Sequence, residues 1–360
     1  MTGRTTGRTT GPTTGPTTGR GRLAVLGATV LAVTLPVTGV ALHQAAQQRA
    51  RAQAPPSVPV AAGPMTGLPD DEARLVFRHT GLDRDYGHLA SVALADPGGP
   101  RSISGTACDR VDAVPGRASC LRVERGVVTR YSLVELDARL AETATVSLPG
   151  IPSRTRLSPD GSLVATTTFV TGHSYQQSGF STATEIRSTD GGADAGDLEA
   201  FRLVLDGREV RPADRNVWGV TFVDDRTFWA TVATGGSTYL VRGDLGARSL
   251  TAVRSDVECP SLSPDGARLA YKVDDPGPGT HWSFAVLDLT TGRETVLAGE
   301  TRGVDDQAAW LDDDTLLYGV SRSDEPGVSD VWSLDVDRAD ALPDLLVEQA
   351  WSPAVVRPER

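Results

Sequence analysis

Lysine and asparagine are nearly missing from this chain of 360 residues; Lys272 and Asn216 are the single examples. The skew accompanies heavy use of Arg, Gly, Ala and Asp and reads as a coding bias. Cysteine is scarce too. Cys108, Cys120 and Cys259 are too few for a disulfide-built scaffold, and no histidine or second cysteine stands at zinc-site spacing from them. The five histidines, His43, His79, His88, His173 and His281, form neither a metal pattern nor a triad pattern. No Gly-x-Ser-x-Gly elbow occurs, which excludes a hydrolase built on that motif. No loop has the ligand spacing of a calcium site, so Asp224-Asp225 and Asp312 to Asp314 are taken as turn residues. Neither a metal nor a cofactor is expected, and no residue is assigned as catalytic.

Basic charge is missing from most of the chain. Six of the 35 basic residues and none of the 46 acidic ones lie in the first 51 residues, which leaves 29 against 46, a net of −17. A body so acidic repels phosphate backbones, so nucleic acid is not an expected partner. The basic start belongs to a Thr-Gly-Arg-Pro tract, residues 1–22, with nothing to bury and therefore expected to be disordered.

Residues 23–42 contain no charge at all. As a helix rising about 1.5 Å per residue they would cross the roughly 30 Å hydrocarbon core of a bilayer. Pro36 and Gly39 are tolerable in such a helix. Arg4, Arg8, Arg20 and Arg22 precede the segment and only Arg49 and Arg51 follow closely. That asymmetry predicts a cytoplasmic N-terminus and a single-pass protein whose body lies outside the cell membrane. A cleaved signal segment, with secretion of the remainder, is the alternative. Residues 43–69 read as a linker rich in Ala, Gln and Pro.

An exported body makes a disulfide plausible. Cys108 and Cys120 sit symmetrically about Val114, beside the Pro115-Gly116 turn, so a hairpin would bring them face to face. Closing so short a loop would contribute about 3 kcal/mol. Cys259 is left as a buried thiol.

From about residue 70 the chain becomes short apolar alternations broken by Gly, Pro and Asp, the texture of closely spaced strands. Leu133 to Leu140 fits either a strand or a helical turn. One phrase occurs twice: Ser158-Pro159-Asp160-Gly161 before Leu163-Val164-Ala165, and Ser263-Pro264-Asp265-Gly266 before Leu269-Ala270-Tyr271. Proline presets the first corner and glycine supplies the positive φ that closes a tight hairpin. Phe222 to Asp225 and Trp310 to Asp313 have the same shape in other letters. Turns near 114, 159, 224, 264 and 312 are mostly 40 to 50 residues apart, the length of a four-stranded propeller blade. The longer step from 159 to 224 implies an insertion of roughly twenty residues in the third unit.

The sixth unit is divided. Trp351-Ser352-Pro353 begins another turn near the C-terminus, and Ala73 to Phe77 resembles the strand that should follow it. The fold class predicted is therefore all-β, a six-bladed propeller over residues 70–356, closed by pairing of N- and C-terminal strands and preceded by one membrane helix. The blades are expected at Ala73 to Ser104 with the C-terminal strand, Ala107 to Leu148, Ser153 to Leu205, Asn216 to Val253, Val257 to Ala298 and Asp305 to Val347. Closure removes the exposed edges, and a monomer is expected.

The phrase Ser263 to Tyr271, with the strand ending Val286-Leu287-Asp288-Leu289-Thr290-Thr291-Gly292, resembles the repeat of TolB-like β-propellers. Prolyl-oligopeptidase propellers have a similar repeat. The chain departs from TolB itself in its apolar segment and in having no room for an N-terminal α/β domain.

Trp310, Trp351 and Phe222 share one place in the repeat, with Leu157 and Leu262, and are expected in the core between blades. Two regions are binding candidates. The insertion in the third blade carries His173 and Tyr175 among glycines and hydroxyls. The starts of the innermost strands carry Arg154, Arg156, Arg215, Glu258, Asp306 and Gln307, which would converge at the channel, to pair with one another or to meet a ligand. The function expected is a non-catalytic scaffold for a protein or cell-envelope partner. The alternative is a propeller enzyme, of hydrolase or lactonase type, acting at the channel mouth.

Overall fold

The computed structural model describes residues 53–68, 71–170, 181–274 and 281–358, with 32, 38–40, 42–47 and 49–51 of the N-terminal segment. The chain divides into two units, Met1–Ala54 and Pro55–Arg360. In the first, the described residues from 38 to 51 are helical. No helix among the described residues is long and apolar enough to cross a membrane. Most of the 23–42 segment lies outside them.

The second unit is a ring of six sheets. Blade 1 orders Ala350–Val356, Arg74–His79, His88–Ala93 and Ser102–Ala107 from the axis outward. Blade 2 runs Arg110–Val114, Arg117–Glu124, Arg130–Asp137 and Glu142–Ser147. Blade 3 is Ile151–Leu157, Leu163–Val170, Ser181–Ser188 and the two-residue strand Gly196–Asp197. Blade 4 is Asn216–Phe222, Thr227–Thr234, Ser237–Asp244 and Ser249–Ser255. Blade 5 is Glu258–Leu262, Arg268–Asp274, Trp282–Asp288 and Glu294–Leu297, and blade 6 is Ala309–Trp310, Thr315–Ser321, Ser329–Asp335 and Asp344–Val347. The Leu133 to Leu140 segment is strand up to Asp137.

The C-terminal strand closes the ring as the innermost strand of blade 1. It pairs antiparallel with the first strand, Leu75 opposite Val355 and His79 opposite Ala350. Trp351 seats its ring against Gly319 of blade 6, where a Cβ would fall 2.2 Å from the indole. Only glycine leaves that space. Trp310, Phe222 and Leu157, at the same place in the repeat, are buried, and Trp310 Nε1 donates to Ser261 O of the neighbouring blade at 3.0 Å.

The repeated turns use identical chemistry. Ser158 Oγ and Ser263 Oγ each donate to the aspartate two residues on, at 2.6 Å, and accept a backbone N–H five residues on, at 2.9 Å. Gly161 and Gly266 have φ of 72° and 71°. Asp224 replaces the motif by accepting from Thr227 Oγ1 and the N–H groups of Arg226 and Thr227.

Two boundaries differ from those expected. Arg202–Leu205, placed by the repeat count at the end of blade 3, pairs parallel with Ser249–Ser255 instead, and with Arg208–Val210 extends blade 4 to six strands. Leu203 is fully buried in that core, so a full outer strand is gained there while blade 3 keeps only a short one. Part of the 43–69 linker also belongs to the propeller. Val60 bridges Arg101 in parallel, Met65 N donates to Ile103 O, and Met65 and Leu68 are buried between blades 1 and 2.

Cys108 and Cys120 form the disulfide, with Cα atoms 5.3 Å apart, and Cys259 is a buried free thiol. Replacing both disulfide cysteines by serine should lower stability by about 3 kcal/mol. Gly319→Ala should cost about 1–3 kcal/mol by crowding the Trp351 indole. Guanidinium unfolding measures both. An unchanged midpoint for Gly319→Ala would mean that the closing strand is not seated there.

Candidate functional site at the channel mouth

The six innermost strands start at one end of the axis, which makes that end a mouth. Connections between the second and third strands of each blade return to the same end. Blade 1 supplies residues 80–87 there and blade 2 residues 125–129.

Beneath the mouth the channel is plugged by side chains from opposite blades. Arg110 Nη1 of blade 2 meets Asp306 Oδ1 of blade 6 at 3.0 Å, while Asp306 Oδ2 accepts Gly319 N. Burial pulls the Arg110 guanidinium down to about 10, against the opposing pull of Asp306. Arg156 reaches Ala308 O at 3.3 Å and Asp112 at 3.7 Å. Gln307 Nε2 donates to Val220 O and Pro260 O, tying blade 6 to blades 4 and 5. The remaining void is about 20 Å³, room for roughly one water. The channel is therefore no passage. Burial raises the Asp112 carboxyl, with Arg156 and the Leu157 N–H opposing.

Above the plug opens a cavity of about 530 Å³, walled by Trp218, Trp282, Phe169, Ile151 and Pro152 and carrying Arg154, Lys272, Glu258 and Asp305. Lys272 Nζ is buried against Asp305 at 2.6 Å and lies 4.4 Å from the Trp282 ring centre. Burial raises the Glu258 carboxyl above its ordinary value; Lys272 opposes this, while Asp305 and Asp274 add to it. A second cavity of about 700 Å³, between blades 4 and 5, shares Glu258, Lys272 and Trp282 with the first.

Five of the residues singled out from sequence thus gather on the axis: Arg156, Asp306 and Gln307 in the plug, Arg154 and Glu258 in the mouth. Arg215 does not join them; it donates to Phe201 O between blades 3 and 4. His173 and Tyr175 lie outside the described residues. Arg110, Asp112, Lys272 and the two tryptophans were not singled out. The signal for Arg110 and Asp112 was available, since they hold the same strand register as Arg154 and Arg156. Among the described residues no group of three His, Cys, Asp or Glu side chains could hold a metal ion.

Hydrophobic side chains are exposed around this end over three consecutive blades. Tyr86, Val127, Val128, Ile151 and Phe169 are all solvent-accessible, and Val127 wholly so. Such an arc beside a charged mouth is the kind of surface that marks a docking site.

No protein-family model and no curated protein matches the sequence. Solved structures do match. TolB from Acinetobacter baumannii aligns with a TM-score of 0.55 at 16% identity, over 82% of this chain and 68% of that one. In fold, this is a TolB-like six-bladed β-propeller. A puromycin-hydrolyzing peptidase from Mycobacterium tuberculosis aligns at 0.48 and 16% identity, over 78% of this chain and 44% of the peptidase. The periplasmic gluconolactonase of Pseudomonas aeruginosa aligns at 0.46 and 13%, over 80% of this chain and 99% of that one. The neighbours of this propeller thus include both TolB and enzymes, and the likeness is one of fold.

A further buried acid stands at the same end, between blades 3 and 4. Glu199 Oε1 accepts from Val217 N and Thr182 Oγ1, and Oε2 from Thr184 N, so one carboxyl joins two blades. Burial, with the neighbouring Asp197 carboxylate, pushes it up to about 9 from an ordinary 4.5. The unfolded chain releases this proton near pH 4.5 while the folded one keeps it. The group's contribution to stability is therefore full below about pH 4.5 and declines as pH rises to about 9. Glu199→Gln should flatten the decline of Tm between pH 5 and 9, whatever its offset; parallel curves for the two proteins would refute the assignment.

Proposed function

We propose that this chain is a membrane-anchored, extracytoplasmic propeller that binds a protein or cell-envelope partner at its mouth face. The apolar arc from Tyr86 to Phe169 carries this reading. Apolar side chains exposed at the mouth ends of three adjacent blades suit a partner that covers them. The plugged channel supports it as well, because Arg110, Asp306 and Gln307, groups that a catalytic channel would leave open, are already engaged with one another's blades. The Cys108–Cys120 disulfide fits an oxidising compartment outside the cytoplasm. The uncharged segment 23–42 is the anchor in this reading.

The enzymatic alternative draws its support from Glu258, whose raised carboxyl lines the mouth cavity as a general acid would. It requires turnover of some lactone or glycoside that Glu258→Gln abolishes.

Crosslinking of the full chain in its native membrane, followed by mass spectrometry, tests the binding reading. A specific partner should be captured, and a Val127→Ser, Val128→Ser, Ile151→Ser variant should lose at least tenfold of it. Both proteins should stay with the membrane through alkaline extraction. No reproducible partner, or capture indifferent to the three serines, would overturn the proposal.

A further inference from the structure

Two opposite charges in the mouth cavity have counter-charges nearby, Asp305 and Asp306 for Arg154 and Lys272 for Glu258, but neither makes a close ion pair with one. Arg154 Nε is buried and has no hydrogen-bond partner. Its Nη1 is used by Ser153 O and Oγ, and its Nη2 comes only to 3.9 Å of Asp305, a carboxylate that Lys272 already holds at 2.6 Å. The Glu258 carboxylate makes no hydrogen bond or close ion pair to another described residue; Lys272, opposite it on the next strand, is a nearby counter-charge, and the acids Asp305 and Asp274 also lie near it. The two do not pair with each other, although both line the same cavity of about 530 Å³.

Opposite charges left apart in a half-buried pocket are compensated when a ligand brings both counter-charges at once. The walls between them specify what the rest of that ligand is. Trp218, Trp282 and Ile151 offer apolar contact on several sides. The volume lies in the range of small-molecule pockets, roughly 300–1,000 Å³. Direction follows from the second cavity, which continues past Glu258 and is lined by Asp256, Asp274 and Glu294 against Arg254 and Lys272, an excess of acid. A cationic end is favoured on that side and an anionic end at Arg154.

We propose that the mouth cavity binds a small zwitterion, a free amino acid or short peptide with an apolar side chain, its carboxylate on Arg154 and its ammonium on Glu258. This rests on reading the mouth as a binding surface. The ligand would lie against Ile151 and Phe169, which also belong to the docking arc, so its binding would be felt at the partner face.

Calorimetry on the full chain tests it, with phenylalanine, leucine and leucyl-phenylalanine as probes beside their N-acetylated and C-amidated forms. The uncapped probes should bind, and each cap should weaken binding at least tenfold. Arg154→Gln should bind weakly and become indifferent to amidation, and Glu258→Gln should become indifferent to acetylation. Near-UV circular dichroism shows that the variants are folded. Free amino acids binding as tightly as the dipeptide would identify a metabolite-sized ligand; a preference for the dipeptide would identify peptides. Equal binding of capped and uncapped probes overturns the proposal, as does no heat from any probe at millimolar concentration. If that failure occurs while the crosslinked partner is still captured, the zwitterion site alone is wrong.

Discussion

Everything in this molecule depends on seven residues at one end of the chain pairing with six near the other. Ala350–Val356 is a strand of blade 1 and also the sixth wall of the channel. Without it, Arg74–His79 has an open edge, the indole of Trp351 leaves Gly319, and Ser352 leaves Val111 of blade 2. The seam is reinforced by a buried polar cluster. Arg101 donates to His79 Nδ1 and to Gln349 O, which makes His79 Nε2 the donor to Asp83. Burial lowers the His79 pKa, although Asp83 favours its charged form, so the ring is held neutral as that pattern requires.

Each junction between blades carries a polar bond in addition to its apolar packing. Ser352 joins blade 1 to 2, Asp112 joins 2 to 3, Glu199 joins 3 to 4, and Thr221 joins 4 to 5. Gln307 joins 5 to 6, and Thr80 returns the ring from 6 to 1. Ser352, Asp112 and Gln307 among them line the plug itself. The mouth stands on a rigid floor, and a ligand there meets preset charges rather than a surface that must be ordered first.

The ring was legible in the sequence because its turns are local chemistry. Ser158 and Ser263 bond to atoms within five residues, so the phrase carries the whole instruction. The jump of Arg202–Leu205 to the outer edge of blade 4 was not legible, because an alternating strand reads the same on either sheet. What decides it is the burial of Leu203 beside Leu250, a contact far along the chain. At the mouth, Arg154 and Glu258 could be found because both lie on innermost strands, Glu258 at the start and Arg154 midway along. Lys272 could not. It comes from a second strand, and its place beside Asp305 depends on the twist of blade 5 against blade 6. Its rarity in the composition carried no positional information.

That the innermost strand of the first blade follows the strands of the other five blades in the chain has a consequence for biogenesis. Five blades can form as the chain emerges, yet the axis stays uncapped until residue 356 has been delivered. Through that interval the arc is a horseshoe with two raw edges and a wet core. Open edges and exposed apolar surface of that kind are what make a folding intermediate prone to aggregate.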